Sequence, residues 1–203
     1  MTITFKCTEC GKINTVEVED TLNLTSNQDL LKSILDNSKF QFKCSQCGKE
    51  HNVIYDVLLQ DDNEKFYIKI NSGEELMTLV SQDDYKIRIV KDLNQANEKL
   101  RCFYYRLDDR LVELVKFLIK EDLEKNNDNL KITEMYFFRF SSNDLEFLIF
   151  TEDEFLGTMK YSFNGYKELK YKHGEKLIDE IQVVDEKYAL SILNAQSNEE
   201  TIA

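Results

Sequence analysis

Phe5-Lys6-Cys7-Thr8-Glu9-Cys10-Gly11-Lys12 returns almost unchanged as Phe42-Lys43-Cys44-Ser45-Gln46-Cys47-Gly48-Lys49. This internal repeat decides how the N-terminal half is read. Each copy has the form of a zinc knuckle. Two thiolates spaced by two residues chelate one ion from a tight turn. The glycine after the second cysteine permits a positive φ, which lets backbone N–H groups turn towards sulfur. The lysine beyond it offsets part of the thiolate charge. Two knuckles complete a tetrahedral site with Zn–S bonds of about 2.3 Å. Cys7, Cys10, Cys44 and Cys47 are therefore the expected metal ligands, and structural Zn2+ the expected ion. Four thiolates suit iron as well. A thioredoxin-like redox pair is the weaker alternative, because that chemistry uses a single Cys-x-x-Cys opening a helix. Here each pair is followed by Gly-Lys and a strand-like run. His51, four residues after Cys47, reads as a partly exposed histidine at a strand start rather than a fifth ligand.

Outward from the knuckles, alternation sets the strands. Ile3 and Phe5 lead into the first knuckle, and Ile13, Val16 and Val18 leave it. A short helix with Leu30, Leu31, Ile34 and Leu35 follows Thr25-Ser26-Asn27. Phe40 and Phe42 lead into the second knuckle, and Val53, Tyr55, Val57 and Leu59 leave it. Asp61-Asp62-Asn63-Glu64 predicts a hairpin turn before Phe66, Ile68 and Ile70. A weak helix over 74–80 and a strand over 85–90 come next.

Asp92, with Gln95 three residues on, predicts a helix start. The apolar stripe Leu93, Ala96, Leu100, Phe103, Leu107, Leu111, Leu114, Leu118 predicts one helix face of about seven turns, with an extra step of four at Leu107–Leu111. A helix over 92–125 would cover the sheet and could also pair with a second copy, giving a homodimer. Cys102 beside the stripe reads as a buried small hydrophobe. Arg106-Leu107-Asp108-Asp109-Arg110 reads as a solvated, salt-bridged face. Within it, Asp109 with Glu113 is the nearest approach to a hard-metal pair.

Two such knuckles, the strand Tyr85–Val90, Asp92-Leu93-Asn94 and Leu107-Asp108-Asp109-Arg110-Leu111-Val112-Glu113-Leu114, in that order, resemble the bacterial CpXC-domain proteins over about residues 1–125. Thr8 and Ser45 stand where that family has proline, a change that softens the turn without removing a ligand. The resemblance implies a metal-binding domain held by Cys7, Cys10, Cys44 and Cys47. It brings no catalytic residues.

The last third predicts aromatic-rich strands over 131–140, 145–150, 155–163 and 166–171, with Asn164-Gly165 as a hairpin turn. A helix over 185–194 and a flexible tail over 195–203 close the chain. Glu168-Leu169-Lys170 is half of a nuclease-like triplet without a partner, and His173 reads as a turn residue. The expected fold class is α+β: a zinc-ribbon-like antiparallel sheet with an inserted short helix, the long helix, and a β-meander module over 131–194.

Charge bounds the function. The 203 residues carry 26 Lys and Arg against 38 Asp and Glu, a net of −12. Residues 1–60, 61–130 and 131–203 carry −2, −4 and −6. Neutralising phosphates needs a basic face, so nucleic acid is a disfavoured partner. The nucleic-acid alternative rests on Lys6, Lys12, Lys43 and Lys49 beside the knuckles. No run approaches the ~18 apolar residues of a membrane span, and Met1-Thr2-Ile3-Thr4 is no secretory start, so a cytoplasmic protein is expected. With two histidines and a closed thiolate site, an interaction protein with a protein partner is expected rather than an enzyme.

Overall fold

The computed structural model describes residues 1–70, 84–152 and 154–194. The helix expected over 74–80 and the tail over 195–203 lie outside these residues. The fold is mixed α+β, as expected from sequence. The chain divides into two compact units, Met1–Asn97 and Glu98–Ala203.

In the first unit, β1 (Thr2–Lys6) and β2 (Ile13–Glu17) form an antiparallel hairpin with Phe5 opposite Asn14. β3 (Thr21–Asn23) leads to α1 (Gln28–Leu35), whose first turn is capped by the Asn27 side chain accepting from the Leu30 N–H at 3.1 Å. After a 3-10 turn at Ser38–Phe40, β4 (Gln41–Lys43) and β5 (Glu50–Asn52) form a second hairpin with Phe42 opposite His51. β6 (Val57–Asp61), β7 (Phe66–Ile70) and β8 (Lys86–Val90) join β3 in a four-stranded sheet of order β3-β6-β7-β8. The hairpins are antiparallel, as expected. The larger sheet is mixed, because β3–β6 and β7–β8 run parallel. The β3–β6 crossover contains α1 and the whole second hairpin, a length that parallel pairing requires. Its core is period-two: Val57, Leu59, Phe66, Ile68 and Ile70 are fully buried on one face. Each such side chain contributes roughly 2 kcal/mol of transfer free energy.

α2 (Leu93–Tyr104) crosses the division between the units. Its start is as expected: Asp92 accepts from the Gln95 N–H at 2.8 Å, and Gln95 accepts from the Lys91 N–H at 3.0 Å. The single helix over 92–125 does not form. α2 stops and α3 (Asp109–Lys125) begins afresh. Arg106 takes φ +56°, while the Leu107 N–H reaches Cys102 O and the Arg106 N–H reaches Phe103 O. That is a Schellman stop with arginine in the position glycine usually fills. Asp108 then caps α3 by accepting from the Arg110 N–H at 3.1 Å. The break falls at the extra step of four in the stripe.

In the second unit, β9 (Glu134–Ser141), β10 (Asp144–Phe150) and β11 (Phe155–Ser162) form an antiparallel meander of order β11-β10-β9. Ser142 and Asn143 both have positive φ, the two-residue turn whose twist matches the strands. The fourth expected strand, over 166–171, is instead α4 (Phe163–His173). Ser162 caps it by accepting from the Gly165 N–H at 3.0 Å. Asn164-Gly165 thus lies in a helical first turn, not a hairpin. Gly165 sits close to a neighbour there: a Cβ would stand 3.0 Å from the Tyr161 ring. Glu168-Leu169-Lys170 is helical as well, and His173 is buried at the helix end rather than exposed in a turn. α5 (Glu186–Asn194) follows, as expected. α3, grouped from sequence with residues 1–125, packs within this unit against α4, α5 and β9.

Candidate metal centre

Each knuckle caps a hairpin, and the two turns are built alike. Cys7 N donates to Lys12 O at 2.8 Å, and Cys44 N to Lys49 O at 2.8 Å. Gly11 N donates to Cys7 O at 3.0 Å, and Gly48 N to Cys44 O at 2.9 Å. Gly11 and Gly48 share φ +73°, a conformation that L side chains rarely adopt. The expected turn geometry is therefore present in both copies, without proline.

The turns bring the four cysteines together. Cys7 Sγ lies 3.6 Å from Cys47 Sγ, and Cys10 Sγ lies 3.6 Å from Cys44 Sγ. All four sulfurs lie within 4.8 Å of one another. A tetrahedron with metal–sulfur bonds of about 2.3 Å has edges of about 3.8 Å. Disulfides, with S–S of about 2.05 Å, are absent among the described residues, and all five cysteines are free. The donor set and the spacing both fit a metal ion. Among the described residues this is the cluster of His, Cys, Asp or Glu so arranged.

The sulfurs are not equivalent. Cys7 and Cys44 are buried, at 1% and 3% exposure, while Cys47 is exposed and Cys10 intermediate. The Cys44 thiol is lowered to about 6, because the Cys47 and Gln46 backbone N–H groups favour its thiolate and the Asn14 amide adds to them. At Cys10 the Lys12 N–H also favours the thiolate. Desolvation and the neighbouring Cys44, Cys47 and Cys7 sulfurs outweigh it and push the thiol up to about 12. At Cys47 the Lys49 N–H and the Cys10 sulfur favour the thiolate, while desolvation and the Cys7 and Cys44 sulfurs outweigh them and raise the thiol. Lys12 and Lys49 thus serve the sulfurs through their backbones, while their side chains are exposed.

Two further residues complete the surroundings. Asn14 is buried, with Nδ2 3.6 Å from Cys44 Sγ and 3.1 Å from Lys12 O. Its Oδ1 accepts from Ser45 N and Ser45 Oγ, both at 2.9 Å. His51 sits half-buried on β5, as expected, yet its Nε2 lies 3.2 Å from Cys7 Sγ. Its ring also packs against Phe5, with centroids 5.4 Å apart. Sequence reasoning missed Asn14 altogether and gave His51 no role at the site.

The other singled-out groups are elsewhere and otherwise engaged. Asp109 and Glu113 hold no metal geometry and no solvated face. Both are buried, Asp109 beside Lys99 Nζ at 3.3 Å and Glu113 beside Lys116 Nζ at 2.9 Å. Asp108 accepts from Arg110 Nε at 2.9 Å and Nη2 at 2.8 Å, and Arg110 Nη1 also reaches Asp179 at 2.7 Å. Cys102 is fully buried, and burial pushes its thiol well above the ordinary range.

A family model described as CpXC protein matches residues 5–116, more than half of the chain. No curated protein and no solved structure matches.

Proposed function

The chain belongs to the CpXC protein family, and from that premise we propose that Cys7, Cys10, Cys44 and Cys47 hold one structural zinc ion in a non-catalytic module that binds a protein partner. The observation that carries this reading is the four sulfurs within 4.8 Å of one another at the tips of two hairpins. Bound there, zinc supplies a cross-link between the hairpins and no open coordination position, because four thiolates fill its tetrahedral shell. Asn14 and Ser45 join the knuckles, and the Lys12 and Lys49 N–H groups support the outer thiolates. The net charge of −12 favours a protein partner over nucleic acid. No helix among the described residues is long and apolar enough to cross a membrane.

Elemental mass spectrometry on the untagged chain, paired with melts in the presence and absence of a strong chelator, tests the reading. One zinc per chain and a lower melting temperature on chelation are expected. A metal-free protein whose four thiols oxidise in pairs would replace the structural reading with a thiol-redox one.

A further inference from the structure

Aligning the two copies of the repeat places Phe5 on Phe42, Cys7 on Cys44, Cys10 on Cys47, and Gly11 on Gly48. It next places Lys12 on Lys49 and, two residues further, Asn14 on His51, each of this last pair seven residues past the first cysteine of its copy. The structure keeps this equivalence. Asn14 pairs across its hairpin with Phe5, and His51 pairs across its hairpin with Phe42. Their polar contacts are reciprocal. Asn14, from the first copy, reaches the first cysteine of the second, with Nδ2 3.6 Å from Cys44 Sγ. His51, from the second copy, reaches the first cysteine of the first, with Nε2 3.2 Å from Cys7 Sγ.

The burial pattern separates the sulfurs that these side chains reach, with Asn14 adding to the Cys47 and Gln46 N–H groups at Cys44. Cys10 and Cys47 lie at the more exposed positions, where water and the Lys12 and Lys49 backbones can serve them. Cys7 and Cys44 are buried, and a buried sulfur that carries charge needs a donor from the protein. The Asn14 orientation is determined by its partners. Ser45 N can only donate, so the atom it meets must be Oδ1. The amide nitrogen is left to donate to Lys12 O and to Cys44 Sγ.

We propose that Asn14 and His51 are a reciprocal pair of positioning residues, each donating an N–H from one knuckle to the buried first thiolate of the other, and that together they set how tightly and how long the site holds its ion. The proposal rests on the four-thiolate reading above. Donors of this kind orient the ligands and spread thiolate charge, and losing one costs about 10–100-fold in metal affinity.

The full-length chain, loaded with zinc or with cobalt(II), provides the test. Asn14→Asp keeps the oxygen that holds Ser45 and removes the donor. His51→Phe keeps the ring against Phe5 and removes the nitrogen, and His51→Asn restores a donor of the first-copy type. Zinc release to excess EDTA and the sulfur-to-cobalt charge-transfer bands are read alongside far-UV circular dichroism. Release about 10–100-fold faster in Asn14→Asp and His51→Phe, bands moved to lower energy, and recovery in His51→Asn are expected. Wild-type release rates and bands in both donor-less variants would overturn the proposal. So would wild-type behaviour in His51→Phe with loss in His51→Asn, which would mark His51 as packing alone. If Asn14→Asp does not fold, the two His51 variants decide. A wild-type chain that binds neither metal defeats the four-thiolate reading itself, an outcome distinct from a loaded site indifferent to its donors.

Discussion

Gly11 and Gly48 stand at φ +73°, and nothing lies within 4 Å of where a Cβ would be. Alanine there meets no neighbour, so its cost is that of left-handed backbone alone, about 1 kcal/mol. Gly11→Ala and Gly48→Ala should therefore lose stability by the same amount in urea melts. Unequal losses would show that the two turns are not equivalent. At this scale the cluster of four cysteines was legible because Cys-x-x-Cys-Gly carries its geometry in its covalent spacing. Asn14 and His51 were not. Each touches a sulfur 30 or 44 residues away, and no local pattern announces such a contact. The signal that finds them is their shared place in the repeat.

Among the elements, the break between α2 and α3 is the main departure from expectation. The stripe of Leu100, Phe103, Leu107 and Leu111 continues through it, because buried positions recur on both sides of the turn. Arginine at φ +56° hides the stop that glycine would have announced. Arg106→Gly should raise stability by about 1 kcal/mol, read as a higher urea midpoint at unchanged slope. A lower midpoint would assign the Arg106 side chain a packing role that outweighs its backbone. Tyr166 shows why α4 was read as a strand. It is buried and its hydroxyl accepts from Asp108 N at 2.8 Å, a tertiary anchor that sequence periodicity does not carry. The meander was legible because each strand alternates and the Ser142-Asn143 turn is composed for it.

For the molecule as a whole, the second unit keeps charges inside. Lys116 Nζ lies 3.1 Å from Glu98 and 2.9 Å from Glu113, Lys99 Nζ lies 3.3 Å from Asp109, and Glu98 Oε1 accepts from Phe137 N at 2.8 Å. Desolvation raises the Glu113 carboxyl above its ordinary 4.5, against the pull of Lys116 and Lys99 and with the push of Glu98. A raised folded value means that the native state binds the proton more tightly than the unfolded chain does. Its contribution is thus present below about pH 4.5 and is lost as pH rises through the folded value. Wild-type stability should therefore fall relative to that of Glu113→Gln as pH rises across that window. Urea titrations at successive pH values that stay parallel would contradict the shift. The near-identity of the knuckles has its own consequence at this scale. A half-site is chemically able to close on the same half of another chain, since both offer the same two sulfurs. The 33 residues between Cys10 and Cys44 act as a tether and hold the proper partner at an effective concentration on the order of millimolar. Closure within one chain therefore outruns cross-linking between chains at any lower protein concentration.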